Sequence, residues 1–263
     1  MIRINRRLTP PTNLKATSKS LLNAKAKIQG IIDAGEDPNS DDFTSLWGNK
    51  TNRDIMWRMQ HGRCCYCERL RDTMRESDIE HFRPKSSVDE KNPKKPGYWW
   101  LAYEWNNLLF ACRACNQEYK KIQFPIRGIR AAGPDDDLST EDALIIDPCS
   151  EDPETFIDYD FTSSVVVTPN GKAPDREKGN KTIEVCKLDR EDLGLQRRAV
   201  VKSSLKPIHE RMIDALKAGS ELAIARIGKE ITEATSAESK LAFIGMRRAY
   251  FRARDLDEFV AKD

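Results

Sequence analysis

Apolar residues recur at helical spacing between Leu14 and Ala34, where Leu21, Leu22, Ala24, Ile28, Ile31 and Ile32 alternate with a lysine-bearing face. The spacing predicts a helix that the polar run GEDPNSDD ends. A second helix is predicted over Asn52 to Gln60. There Ile55, Met56 and Met59 form a stripe leading into His61-Gly62, and the glycine stops it. Ahead of both, residues 1 to 12 read as an extended basic arm, because Pro10-Pro11 fix their own backbone and push the preceding residue out of the helical region.

Residues 85 to 97, KSSVDEKNPKKPG, are turn-rich and basic and read as a loop, followed by the apolar and aromatic run YWWLAYEWNNLLF. Between Ala143 and Lys187 the pattern shortens to β-like runs, LIID, TFIDYDF and SSVVVTP, with Asn170-Gly171 as a turn. This predicts a small strand-containing insert. From Asp189 onward helical periodicity returns in Leu193, Leu195, Val200, Val201 and Leu205, then Met212, Ile213 and Leu216, then Leu222, Ile224 and Ile227, enough for three or four helices.

Composition narrows the class. No apolar run approaches the roughly 18 residues of a membrane span, and the N-terminal stretch has neither the apolar segment nor the small-residue cleavage site of a secretory signal. A cytosolic, cytoplasmic location without membrane contact is expected. Charge is uneven: ten Lys and Arg face six Asp and Glu over residues 1 to 60, fourteen face nine over 61 to 130, and twenty face twenty-seven over 131 to 263. A basic front part suits a polyphosphate ligand and an acidic remainder repels one, although the same numbers fit ordinary solvated surface.

The seven cysteines are an odd number, and four of them fall into two C-x2-C pairs, Cys64 with Cys67 and Cys112 with Cys115. In a reducing compartment this spacing points to a tetrahedral thiolate site for structural zinc more than to redox chemistry. Cys65, Cys149 and Cys186 remain as packing residues. Between and beside the pairs lie hard donors: Asp78-Ile79-Glu80-His81, Asn106-Asn107 and Asn116. Glu80 with the amide oxygen of Asn116 suits a divalent ion such as magnesium or manganese that keeps room for a phosphate, and His81 suits a general base. Arg83, Lys85 and Lys120 are candidate phosphate contacts. Tyr98, Trp99, Trp100, Tyr103 and Trp105 read as core in preference to base-stacking platforms.

The order CCYCE, DIEHFRPKS, EWNNLLFACRACNQEYK over about residues 60 to 125 resembles the HNH endonuclease family, whose ββα-metal motif is often braced by two C-x2-C pairs. The resemblance makes His81 the general base and Glu80 a metal ligand. It makes Asn107 the middle asparagine that fixes the base-bearing loop, and Asn116 the last ligand, where the family's final histidine is replaced. A wider pattern, from MIRINRR through EHFRPKS, YWWLAYEWNNLLFACRACN and Phe124-Pro125 to IIDPCSEDPETF, is similar to the HNH subunits of retron-associated and Septu-type antiphage systems. Those subunits work with an ATPase of the ABC or SMC type.

The expectation is therefore an α+β chain in four segments: a basic arm and helix (1–45), a zinc-braced ββα-metal module (46–130), a strand-containing insert (131–188) and a helical region (189–263). The expected activity is metal-dependent hydrolysis of nucleic-acid phosphodiesters, DNA before RNA, alongside an ATPase. The N-terminal arm and the acidic C-terminal half are expected as its docking surfaces. A zinc-stabilised module that binds nucleic acid or protein without cutting, and a stand-alone restriction-type nuclease, are the alternative readings.

Overall fold

The computed structural model describes residues 1–6, 9–71, 77–88, 95–162 and 165–262. Helix α1 spans Lys19–Asp33 and begins at Ser18, whose side chain accepts from the Leu21 N–H and so caps the first turn. Helix α2 spans Lys50–Met59 with Asn49 capping through Asn52 N–H at 2.8 Å. Its end is set by two consecutive left-handed residues, His61 and Gly62, and Gly62 N–H returns to the Trp57 carbonyl at 2.8 Å. Strand β1 (Ser77–His81), the short ladder of β2 (Ser87–Val88) with β3 (Lys95–Pro96), and strand β4 (Leu108–Cys112) follow. Residues 89–94 of the expected loop lie outside the described residues. Gly97 is required where the chain passes the loop, since a Cβ there would stand 2.7 Å from the Lys85 carbonyl oxygen.

Strands β1 and β4 pair antiparallel, with Glu80 opposite Leu109 and His81 opposite Leu108. Every residue of β4 is buried, because the hairpin stands between two apolar cores and period-2 alternation sends one set of side chains into each. Ile79, Leu108 and Phe110 face the smaller core, built from α1, α2, Phe43, Trp47, Tyr103 and Trp105. Leu109 and Ala111 face the larger one, which reaches from Met1 and Ile4 through Tyr98 and Phe124 to Phe251 and Val260. The cores thus cut across the four expected segments.

Beyond β4 a π-helical turn spans Ala114–Lys120. Strands β5 (Ile126–Arg127) and β6 (Asp142–Ala143) form a two-residue ladder, and β7 (Ile157–Asp160) pairs antiparallel with β8 (Val166–Pro169). Residues 163–164 of the third expected β-like run lie outside the described residues. LIID forms no strand. Its core residues are pinned instead by Leu144 N–H on the Pro125 carbonyl (2.9 Å) and Ile146 N–H on Thr182 Oγ1 (3.0 Å). Nor does the strand-like insert run on to residue 187: helix α3 (Arg176–Cys186) takes its last part, capped by Asp175 through Lys178 N–H.

The remainder is helical: α4 (Glu191–Val200), a π-helical stretch Val201–Leu205, α5 (Lys206–Lys217), α6 (Glu221–Thr235) and α7 (Ile244–Arg252). Pro207 has no N–H to offer the carbonyl four residues earlier, and the helix widens just ahead of it. Among the described residues no helix is long and apolar enough to cross a membrane.

Residues 1–6 of the N-terminal arm do not project. Met1, Ile2 and Ile4 are buried, Ile4 N–H bonds the Pro148 carbonyl at 2.7 Å, and Arg6 donates to the carbonyls of Trp105 (2.6 Å) and Leu108 (2.7 Å). Its apolar residues at positions 1, 2 and 4 make it a core segment despite its basic composition.

Candidate metal centre and adjoining cleft

The turn after α2 carries Cys64 and Cys67, held by Cys64 N–H on the Arg69 carbonyl (3.0 Å) and Cys65 N–H on the Phe110 carbonyl (3.0 Å). Gln60 clamps this turn to β4. Its amide nitrogen donates to the carbonyls of Arg63 (2.9 Å) and Phe110 (2.7 Å), and its oxygen accepts from Phe110 N–H (2.8 Å). Cys112 ends β4, and Cys115 follows in the π-helical turn.

The four sulfurs are buried and all lie within 4.8 Å of one another, with Cys67 Sγ 3.8 Å from Cys112 Sγ. A tetrahedral ion with metal–sulfur bonds of about 2.3 Å needs sulfurs roughly 3.8 Å apart, so the set fits a metal such as zinc. Hydrogen bonds from the other three thiols push the Cys112 thiol far down, while burial pushes Cys64 up and hydrogen bonding to Cys112 holds Cys67 and Cys115 up. Held together as thiolates, four sulfurs this close would need a cation among them, and the set could hold one. Arg190, at the start of α4, brings Nη2 to 3.7 Å from Cys115 Sγ, and the Arg71 guanidinium meets Cys112. Of the other cysteines, Cys65 and Cys186 are buried and Cys149 accepts from Arg6 at 3.2 Å.

One strand away opens a cleft of about 380 Å³ whose walls include Glu80, His81, Lys85, Asn116, Trp47 and Lys121. His81 Nε2 lies 2.9 Å from the Ala102 carbonyl, which can only accept, so this nitrogen carries the proton and Nδ1 keeps its lone pair. The Trp47 ring meets the imidazole edge-on at 4.6 Å. Burial, reinforced by the Lys85 charge, pushes His81 down to about 3, leaving the ring neutral.

Asn107 fixes the chain on both sides of this histidine. Its Oδ1 accepts from Arg83 N–H at 2.8 Å, and its Nδ2 donates to the carbonyls of Arg83 (2.9 Å) and Leu101 (3.1 Å). The loop after β1 and the turn that carries Ala102 are thereby tied together. Asn106 is exposed.

Glu80 is only 2% exposed. Lys120 Nζ stands 2.5 Å and the Tyr66 hydroxyl 3.1 Å from the same oxygen, Oε1. Burial pushes the carboxyl up, and the Lys120 charge and both hydrogen bonds pull it back. Lys120 is therefore no surface phosphate contact: it is fully buried, and Nζ also reaches the His81 carbonyl at 3.2 Å. The π-helical widening turns it under β1, and its neighbour Lys121, at a positive φ of 49°, takes the place at the cleft.

Arg83 is likewise committed elsewhere. Its Nε is 3.0 Å from Glu141, its side chain is 18% exposed, and its guanidinium lies over the rings of Phe82, Tyr98 and Phe124. Lys85 does line the cleft, with Nζ 4.9 Å from the Phe43 ring centre and 5.4 Å from that of Trp47. Tyr98, Tyr103 and Trp105 are core residues, whereas Trp99 and Trp100 are half-buried on a separate groove of about 570 Å³.

Sequence reasoning missed Gln60, Tyr66, Trp47, Lys121 and Arg190. Only Tyr66, enclosed in C-C-Y-C, carried any local signal.

No family model matches the chain. It is 36% identical over 155 residues to the Septu protein PtuB of Bacillus mycoides (strain KBAB4), covering 57% of this chain and 50% of that protein. The chain is similar to Septu proteins. It is also 32% identical over 143 residues to the Septu protein PtuA of the same strain, covering 52% and 19% of the two chains. A third match, at 31% over 98 residues, is the Septu protein PtuB of Bacillus thuringiensis, covering 36% and 31%. The chain thus spans half the length of the first of these relatives and less of the other two.

Proposed function

We propose that the chain is a metal-dependent endonuclease of the HNH type, acting on nucleic acid, DNA in preference to RNA, as the effector of a Septu-like antiphage system. The observation that carries this reading is the convergence of Glu80, His81 and Asn116 on one cleft. Asn107 locks the histidine-bearing loop to the turn whose carbonyl orients the imidazole. The succession of β1, β4 and the π-helical turn supports a ββα-metal module. Similarity to the Septu proteins supports the defence role.

In this reading Glu80 and Asn116 hold magnesium or manganese, and the four cysteines hold zinc in a structural role. The divalent ion, when bound, neutralises charge on the phosphate and on the departing oxygen. His81 takes a proton from water at Nδ1 while Nε2–H stays on Ala102. A neutral, half-buried imidazole gains basicity when the anionic phosphate enters beside it, because the negative charge offsets the desolvation that holds it down. Lys85, steadied over two aromatic rings, and Lys121 bind flanking phosphates without reading sequence.

The test is a cleavage assay on plasmid DNA and on RNA with added magnesium or manganese, wild type against His81→Ala, with zinc measured in both proteins. Loss of cleavage at unchanged zinc content supports the reading; full activity of the variant removes His81 as base. The Lys120–Glu80 pair favours a second reading, in which the carboxylate is structural and the module binds nucleic acid without cutting. Binding without cleavage under every metal, with the partner present, would establish that alternative. We further propose an ATPase of the ABC or SMC type as partner, docking on the acidic C-terminal half. Co-purification with such a protein tests it against a stand-alone restriction-type nuclease.

A further inference from the structure

Each cysteine pair delivers one hydrogen-bond donor to the same carboxylate oxygen. Tyr66 sits between Cys65 and Cys67 in the first turn, is 1% exposed, and gives its hydroxyl to Glu80 Oε1 at 3.1 Å. Lys120, on the π-helical turn that contains Cys115, approaches that oxygen from the second pair at 2.5 Å. Among the described residues both contacts fall on Oε1, and Glu80 is one of the residues that line the cleft. A buried carboxylate with one oxygen held by two donors has little freedom to rotate, and fixing a ligand's orientation is what outer partners of metal ligands do.

We propose that Tyr66 is a positioning residue for Glu80: the turn that supplies two thiolates to the metal centre also aims the carboxylate of the adjoining cleft at its cation. This rests on the reading that Glu80 is a divalent-cation ligand. It assigns the tyrosine of C-C-Y-C a task that neither thiolate ligation nor core packing requires. A phenylalanine at this position would fill the same space and leave the thiolate cluster intact, but Glu80 would lose its neutral donor.

The experiment uses the full-length, zinc-loaded chain and titrates manganese by electron paramagnetic resonance in wild type, Tyr66→Phe and Glu80→Gln, with zinc content measured in each. The expected result is an affinity about ten-fold or more weaker in Tyr66→Phe, zinc unchanged, and loss of the site in Glu80→Gln. Equal manganese affinity in wild type and Tyr66→Phe, with Glu80→Gln still defective, overturns the role of Tyr66 and leaves the metal-ligand reading standing. Equal affinity in all three proteins overturns both.

Should Tyr66→Phe fail to fold with zinc, 3-fluorotyrosine placed at position 66 of the otherwise unaltered chain decides the matter. Its fluorine resonance should shift on titration with magnesium in the wild-type background and stay fixed with Glu80→Gln. A resonance insensitive to magnesium in both overturns the proposal.

Discussion

Replacing Asn107 by alanine removes the joint between the two segments that frame His81. The side chain makes three hydrogen bonds, with Arg83 N–H (2.8 Å), the Arg83 carbonyl (2.9 Å) and the Leu101 carbonyl (3.1 Å), and is 5% exposed. At about 1 kcal/mol net for each bond the loss is about 3 kcal/mol, less to the extent that water reaches the abandoned groups. That is a large share of a typical stability of about 5–15 kcal/mol. At about 2–4 °C per kcal/mol for a chain near this size, melting should fall by roughly 6–12 °C.

Urea unfolding of the zinc-loaded protein measures the global cost of the change. Amide hydrogen exchange locates it. Arg83 N–H, which bonds the deleted oxygen, should lose protection, whereas Phe82 N–H bonds the Asn107 backbone carbonyl at 2.9 Å and should lose less. Asn107→Asp keeps the acceptor for Arg83 N–H but turns an oxygen on two carbonyls, so it should be no better than alanine. A stability change below about 1 kcal/mol, with Arg83 protection unaltered, would refute the idea that this side chain holds the loop.

Four further outcomes are expected. Lys120→Met leaves a buried carboxylate unpaired and should cost about 3–5 kcal/mol, largely recovered when Glu80→Gln is added; a stable single variant that only weakens nucleic-acid binding would restore Lys120 as a phosphate contact. Cys67→Ser should lose zinc and most of its folded population, and a soluble, zinc-free, fully folded variant in a metal and melting analysis would contradict the structural role. Arg190→Ala, which removes the guanidinium beside Cys115, should release zinc to a chelator about ten-fold faster at unchanged helix content. Lys85→Ala should lower the salt slope of nucleic-acid binding by about one, whereas Arg83→Ala should leave that slope unchanged and lower stability through Glu141.

The apolar periodicity of the sequence determined α1, α2 and the C-terminal helices, because amphipathic spacing reports directly on which face is buried. The cysteine spacing likewise determined the thiolate cluster: two residues between ligands is a local constraint that a single turn satisfies. It did not determine the last part of the insert. The polar run REKGNK with the β-branched residues of TIEV carries no decisive period, and Asp175 as cap together with Thr182 reaching the Ile146 amide selects a helix only once the neighbouring segment is packed.

Side-chain assignment at the cleft was decided by tertiary structure. Arg83, Lys85, Lys120 and Lys121 are equivalent basic residues in the sequence. Only the pairing of β1 with β4, and the widened turn after it, decide which charge is buried under Glu80 and which faces solvent. Tyr66 meets Glu80 across 14 residues, Arg83 meets Glu141 across 58, and Arg190 meets Cys115 across 75. No local pattern specifies such contacts, because each depends on how the two cores close around the hairpin and not on the residues flanking either partner.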